Sequence, residues 1–233
     1  MNERLDIGPG HPSVTKPIIW RSTVMTKEVR PSVLVANIGN AFLPGTQEAV
    51  EAAANVYAKT GARCVVTVQP NLCVVSPFGL DSMRNFMVLR ACAASFDYIL
   101  FLDNDVLLED PETLVKLVAR GQLYVVPWFD QSPIGRTEIL GNPMYDADQG
   151  MMRMEWTVPY CSLINTAAFK LAGMRPFGEM PIYCKDEADS LWFTQHGVEI
   201  WQDTDVHVKL LRGPRLLSDM VGAFRPLKPF EMP

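Results

Sequence analysis

The segment Phe96-Asp97-Tyr98-Ile99-Leu100-Phe101-Leu102-Asp103-Asn104-Asp105-Val106-Leu107-Leu108 constrains this chain more than any other. An apolar run of strand length, Tyr98 to Leu102, ends in two carboxylates two residues apart. Leu108-Glu109-Asp110-Pro111-Glu112 then opens what reads as a helix. Near-continuous apolar runs mark strands buried on both faces of a parallel sheet. In open α/β sheets, ligands collect at the carboxyl ends of such strands. Asp103 and Asp105 would have apolar protein behind them, and no Lys or Arg stands within ten residues on either side. They repel each other, and they would repel a phosphate. A hard divalent cation resolves both conflicts, because Mg2+ binds through one or two carboxylates plus substrate phosphate oxygens. The segment therefore predicts a metal–phosphate site.

The rest of the chain supplies a frame for that strand. Ser32-Val33-Leu34-Val35-Ala36 reads as a buried strand and Asn37-Ile38-Gly39-Asn40 as the loop after it. Thr46 suits an N-cap for a helix from Gln47 to Lys59, with Gly61 at the C′ position. Arg63 to Val68 is a second strand, and Ser82 suits the cap of a second helix from Met83 to Cys92. A helix from Pro111 to Arg120 and a strand from Leu123 to Pro127 follow the acidic segment. Such β–α alternation implies right-handed crossovers and a parallel sheet. Residues 128–155 lack a regular pattern and read as a long functional loop, flanked by Trp128 and Trp156. Thr157 to Asn165 then looks like a strand, Thr166 to Ala172 a short helix, and Asp186 to His196 a helix closed by Gly197. Val198 to Trp201 and Val206 to Val208 close the pattern as strands. The expected organisation is an N-terminal extension over 1–30, one α/β domain over 31–215 and a C-terminal tail over 216–233.

Composition narrows the partners. A net charge of −5 over 233 residues argues against a nucleic-acid surface built on bulk basicity. No apolar run approaches the ~20 residues that span a bilayer, and Met1 to Asp6 lacks the apolar core of a secretory signal. The five cysteines (Cys64, Cys73, Cys92, Cys161, Cys184) include no CxxC pair and read as free thiols of a cytoplasmic protein.

Four motifs then occur in a telling order. They are Met83-Arg84-Asn85, the pair in Asp103-Asn104-Asp105, Cys161 to Asn165 with Phe169 and Gly173 to Phe177, and Lys185 to Leu191 followed by Gly197 to Trp201. In that order they resemble the nucleotide-sugar glycosyltransferases of the GT-A fold, especially the family-2-like group. The resemblance covers about residues 32 to 212. It implies a single GT-A-like domain, with a Rossmann-like, mostly parallel sheet flanked by helices. It also implies a UDP- or GDP-sugar donor, a hydroxyl acceptor and Mn2+ or Mg2+. The DxD-like pair, Asp103 and Asp105, would meet ribose and metal. Asn37 and Arg84 would border the nucleotide. Asp186 would be the general base of an inverting transfer, with Glu187 as its substitute. The chain departs from the pattern near its end. The position matching the family's metal-binding His is Leu210, and His207, three residues earlier, is the candidate third ligand, brought in by a bulge or shift.

Plainer readings stand beside these. Asp103 and Asp105 could cap a strand-to-helix turn, Arg84 could lie on a solvated helix face, and Asp186, Glu187 and Asp189 could simply answer the helix dipole. His207 could be an ordinary strand residue, and Asp146-Ala147-Asp148 loop polarity. Asp103-Asn104-Asp105-Val106-Leu107 also resembles the first motif of haloacid-dehalogenase-like phosphatases, and a non-catalytic sugar-binding relative fits as well.

Overall fold

The computed structural model describes residues 30–38, 45–69, 78–131, 137–138, 141–144, 149–174, 176–177 and 185–211. The expected N-terminal extension apart from Arg30, the C-terminal tail, Asp146 and Asp148, and Cys73 and Cys184 lie outside them. Three neighbouring strands form one parallel part of the sheet. β1 (Val33–Ile38) lies between β2 (Cys64–Gln69) and β3 (Tyr98–Asp103), with Val33 opposite Cys64 and Tyr98. Helices α1 (Thr46–Lys59) and α2 (Phe78–Ala93) make the two crossovers. β3 leads through a turn at Asn104 and Asp105 into the short β4 (Val106–Leu107), helix α3 (Thr113–Ala119) and β5 (Tyr124–Gln131).

The remaining strands widen the sheet with mixed polarity. They are β6 (Thr137–Glu138), β7 (Gly141–Pro143), β8 (Met151–Thr157), β9 (Cys161–Asn165) and β10 (Ile200–Leu210). Helices α4 (Ala168–Ala172) and α5 (Lys185–Gln195) fall between the last two. The order is β2-β1-β3-β9-β5-β10-β8-β7, with β4 pairing β10 and β6 pairing β5. β9 inserts antiparallel between β3 and β5, while β10 runs parallel to β5. Strand direction therefore places the carboxyl ends of β1, β2, β3, β5 and β10 on one edge. The expected α/β fold is present, with helices over both faces of the sheet.

Alternation along the strands divides the core. Leu34, Ala36, Ile99 and Phe101 pack with Met87, Val88 and Phe193 on the α2/α5 face. Val33, Val35, Leu100 and Leu102 pack with Val50, Tyr57 and Leu114 on the α1/α3 face. No helix among the described residues is long and apolar enough to cross a membrane. Cys64, Cys92 and Cys161 are free thiols, and burial pushes the Cys64 thiol up to about 11.

Several boundaries differ from the sequence reading. Gly45, at φ 83°, holds the N-cap of α1, so Thr46 is the first helical residue and is buried. α2 begins at Phe78, so Ser82 lies within it rather than at its cap, and α3 begins at Thr113 rather than Pro111. Asp110 caps the approach to α3: its Oδ1 accepts the Glu112 N–H at 2.8 Å, and its carbonyl accepts the Thr113 hydroxyl at 2.7 Å. Residues 128–155 are not one irregular loop, because β5 runs on to Gln131 and β6, β7 and most of β8 fall within them. Cross-strand partners, invisible to local pattern, form these strands. The Thr157–Asn165 strand is broken by a turn at Pro159 and Tyr160.

β10 is one strand of 11 residues rather than two. Its register to β5 jumps between Asp203, opposite Pro127, and His207, opposite Trp128. The buried Asp203 carboxylate stitches this bulge. It takes Arg120 Nε at 2.7 Å and Nη2 at 2.9 Å, and the N–H groups of Asp205 and Val206 at 3.0 and 3.2 Å. These bonds hold the Arg120 guanidinium above its ordinary range. Gly150 closes the arrangement at φ 74°, accepting the Thr204 N–H at 2.8 Å. A Cβ on Gly150 would stand 1.9 Å from the Asp205 carboxylate that Arg120 holds. Gly150→Ala is therefore expected to cost about 1–3 kcal/mol, measured by urea denaturation. An unchanged midpoint would mean that the bulge relaxes freely.

Candidate active site

Asp103 is the last residue of β3, and its N–H donates to the Tyr160 carbonyl at 2.8 Å, just before β9. Asp105 lies in the turn that follows. Its carbonyl accepts the Leu211 N–H at 2.9 Å, and the next residue, Val106, pairs with Leu210 at the end of β10. Backbone bonds from two directions thus fix the acidic turn on the edge where the parallel strands end. Both side chains are partly exposed.

Arg84 reaches this turn from α2. It is 1% exposed, so it does not lie on a solvated helix face. Its Nη2 is 3.4 Å from Asp103 Oδ1, and its Nη1 is 3.6 Å from Asp189 Oδ2, a carboxylate in α5 that is itself 2% exposed. The guanidinium also lies 5.8 Å from the centroid of the Phe177 ring. Next to it, Asn85 donates its amide N–H to the Phe177 carbonyl at 2.9 Å and accepts the Phe177 N–H at 3.1 Å. The Arg-Asn pair thus ties α2 to the strand end, to α5 and to the backbone of Phe177.

Polar groups continue beneath α5. The buried Tyr124 and Ser162 hydroxyls lie 3.2 Å apart. Burial pushes the Tyr124 hydroxyl up to about 12, against the opposing pull of Ser162 and Arg84. Ser190 Oγ accepts the Thr157 N–H at 2.9 Å. α5 therefore docks on the sheet through hydrogen bonds and ion pairs as well as through Phe193.

Asp186 and Glu187 are the second and third residues of α5, in the turn before Asp189. Their side chains lie outside the described residues. The structure brings their helix to the acidic edge through Asp189 and Arg84. Sequence reading had placed Asp189 only in a dipole-stabilised first turn, and its burial and its partner were not legible there.

Asn37 belongs to β1 rather than to the loop after it, opposite Leu102 of β3 and one residue before the Ile38–Asp103 pair. It is 1% exposed, and both polar atoms of its amide are buried with no hydrogen-bond partner among the described residues. An unsatisfied buried amide costs about 1–3 kcal/mol, so it is a candidate ligand contact on energetic grounds.

His207 follows the bulge in β10. Its Nδ1 lies 3.0 Å from Asp130 Oδ2 and its Nε2 3.1 Å from the Thr204 carbonyl. Because the bulge precedes it, His207 keeps the face opposite to the buried Leu210, as strand alternation requires. Its ring nitrogens are engaged by Asp130 and Thr204. Among the described residues, no group of three or more His, Cys, Asp and Glu side chains could hold a metal ion. The two acids of the turn nevertheless suit a cation that draws its remaining ligands from a diphosphate.

Comparison with solved structures bears on the architecture. The structure of GalNAc-T7 with UDP, GalNAc and Mn2+ matches over 83% of this chain and 47% of that one, with a TM-score of 0.51 and 12% identity. The fold is GT-A-like. This chain spans about half the length of the GalNAc-T7 structure. A197 from STIV matches over 78% of this chain and 95% of that one, at TM-score 0.44 and 10% identity. A glycosyltransferase involved in glycosylation of the major capsid of PBCV-1 matches over 82% of this chain and 100% of that one, at TM-score 0.45 and 14% identity. No protein-family model and no curated protein sequence matches the chain. On the GT-A-like fold, the acidic turn occupies the edge where ligands of open α/β sheets bind.

Proposed function

We propose that this protein is a glycosyltransferase that moves a sugar from a UDP- or GDP-sugar to an acceptor hydroxyl, with metal assistance and inversion. The observation that carries the reading is the Asp103–Asp105 turn at the carboxyl edge of a GT-A-like sheet, joined through Arg84 to the acidic start of α5. The UDP and Mn2+ in the GalNAc-T7 structure are in keeping with it.

Asp103 and Asp105 would hold Mn2+ or Mg2+, with His207 left to its bonds with Asp130 and Thr204. When bound, the ion would neutralise charge on the departing nucleoside diphosphate. Arg84 already balances Asp103, so the cation falls chiefly to Asp105. Asn37 would offer a donor and an acceptor to the nucleotide. Asp186 would take the proton from the acceptor hydroxyl, with Glu187 as the alternative. The first turn of a helix favours its ionised form.

A thermal-shift screen of UDP and GDP with and without Mn2+ tests the donor site. Ligand at 100 times its Kd adds about 2.7 kcal/mol to stability, an easily read shift. The shift is expected only with metal and is expected to vanish in Asp105→Asn, which keeps shape and removes charge. A metal-dependent shift unchanged in that variant would show that Asp105 holds no cation. The absence of any shift in the native chain would count against the donor reading as a whole.

A further inference from the structure

The one fully buried cation of the described edge touches neither solvent nor a single partner: it is shared. Arg84 is 1% exposed, and its two terminal nitrogens face two carboxylates from different elements, Asp103 at the end of β3 and Asp189 in α5. Asp189 stands three residues after Asp186, so the two lie on neighbouring positions of the same helix surface. We propose that Arg84 and Asp189 are positioning residues that set the start of α5, and with it the base, at a fixed place relative to the acids at the donor end.

This rests on the glycosyltransferase reading of the edge. The physical case comes from the packing. α5 begins with Lys185-Asp186-Glu187-Ala188-Asp189-Ser190, a polar run with little apolar surface to locate it, and its apolar anchor, Phe193, lies further along. Asp189 and Ser190 are both buried and bind named partners, Arg84 and the Thr157 N–H. A guanidinium presents a rigid fork that can face two carboxylates at once, whereas a lysine ammonium is a single point charge on a flexible stem. Asn85 adds two bonds to Phe177, which hold the helix that carries Arg84 against the chain leading to α5. A displacement of about 1 Å at a reacting group can cost 100-fold in rate, so such a clamp would act on catalysis without touching substrate.

The test uses the full chain carrying Arg84→Lys, Asp189→Asn, and the double change Arg84→Met with Asp189→Leu. The double variant removes the buried pair without leaving a lone buried charge at Asp189, and replacements of this kind are commonly neutral in stability. Two measurements decide the matter. In steady-state transfer, Asp189→Asn is expected to lower kcat by about 10- to 100-fold while UDP–Mn2+ affinity stays within about twofold. The double variant is expected to regain the native melting temperature without regaining kcat. Recovery of kcat together with stability would reduce the pair to a structural role and overturn the proposal. The second measurement needs no activity. Amide hydrogen exchange over residues 185–190 of the ligand-free chain is expected to speed up about tenfold or more in Arg84→Lys and Asp189→Asn, with exchange at Phe193 to Gln195 little changed. Unchanged exchange at the start of α5 would overturn the clamp even in an active enzyme. Faster exchange in a chain that binds no nucleoside diphosphate would uphold the clamp and count against the glycosyltransferase reading instead.

Discussion

Asp186→Asn is expected to lower kcat for sugar transfer by about 10²- to 10⁴-fold, the range that general-base catalysis supplies. Donor affinity should barely move, because the base meets the acceptor hydroxyl and not the diphosphate. Steady-state kinetics with UDP- and GDP-sugars, alongside direct UDP–Mn2+ binding, check both halves. The helix position argues for the assignment: Asp186 is the second residue of α5, where the dipole favours the carboxylate. The same field lowers its basicity, so the placement favours availability of the base over strength. If Asp186→Asn stays within a few-fold of the native rate while Glu187→Gln abolishes transfer, the role belongs to Glu187. If neither change matters, the inverting reading fails. Product stereochemistry is an independent check, because a retained anomeric configuration excludes the single displacement that needs this base.

The largest stability effect is expected at Phe193. Its side chain is fully buried, with ring centroids 5.2 Å from Tyr124, 5.9 Å from Phe169 and 5.9 Å from Phe177. Phe193→Ala would empty the point where α5, α4, β5 and Phe177 meet, at a cost of about 3–5 kcal/mol. Phe193→Leu refills most of the volume and should cost much less. Equilibrium urea denaturation measures both. A loss below about 1 kcal/mol for the alanine variant would show that α5 is held by its polar contacts alone.

The two changes separate what α5 draws from its two ends. The first turn depends on ion pairs and hydrogen bonds at Asp189 and Ser190, and the later turns on aromatic packing at Phe193. The helix was legible in the chain from its acidic start and the Gly197 that closes it. Its anchoring was not, because both anchors depend on residues far away in sequence. The β3 strand and its acidic end were equally legible, since an apolar run of strand length bounded by charge is a local pattern. β6, β7 and β8 were missed, because β6 and β7 are only two and three residues long and all three form against partners distant in pattern, β6 on β5, β8 on β10 and β7 on β8.

His207 shows the same division in one residue. Its offset of three from Leu210 was readable and correctly set the two on opposite faces of a strand. That a bulge existed, and that it lay before His207 and so left this parity intact, required the pairing of β10 with β5.

The sequence by itself determined the local chemistry: which run becomes the central strand, that it ends in two carboxylates, and that an acidic helix precedes the last strand. The length of an apolar run and its periodicity are short-range properties, so neighbouring residues suffice to fix them. Only the tertiary structure decided which charges meet. Along the chain, no cation stands within ten residues of Asp103. In the folded protein Arg84, 19 residues away, lies 3.4 Å from it and shares its guanidinium with Asp189. A charge pair depends on through-space distance in a low-dielectric interior, and that distance exists only after the helices have packed on the sheet.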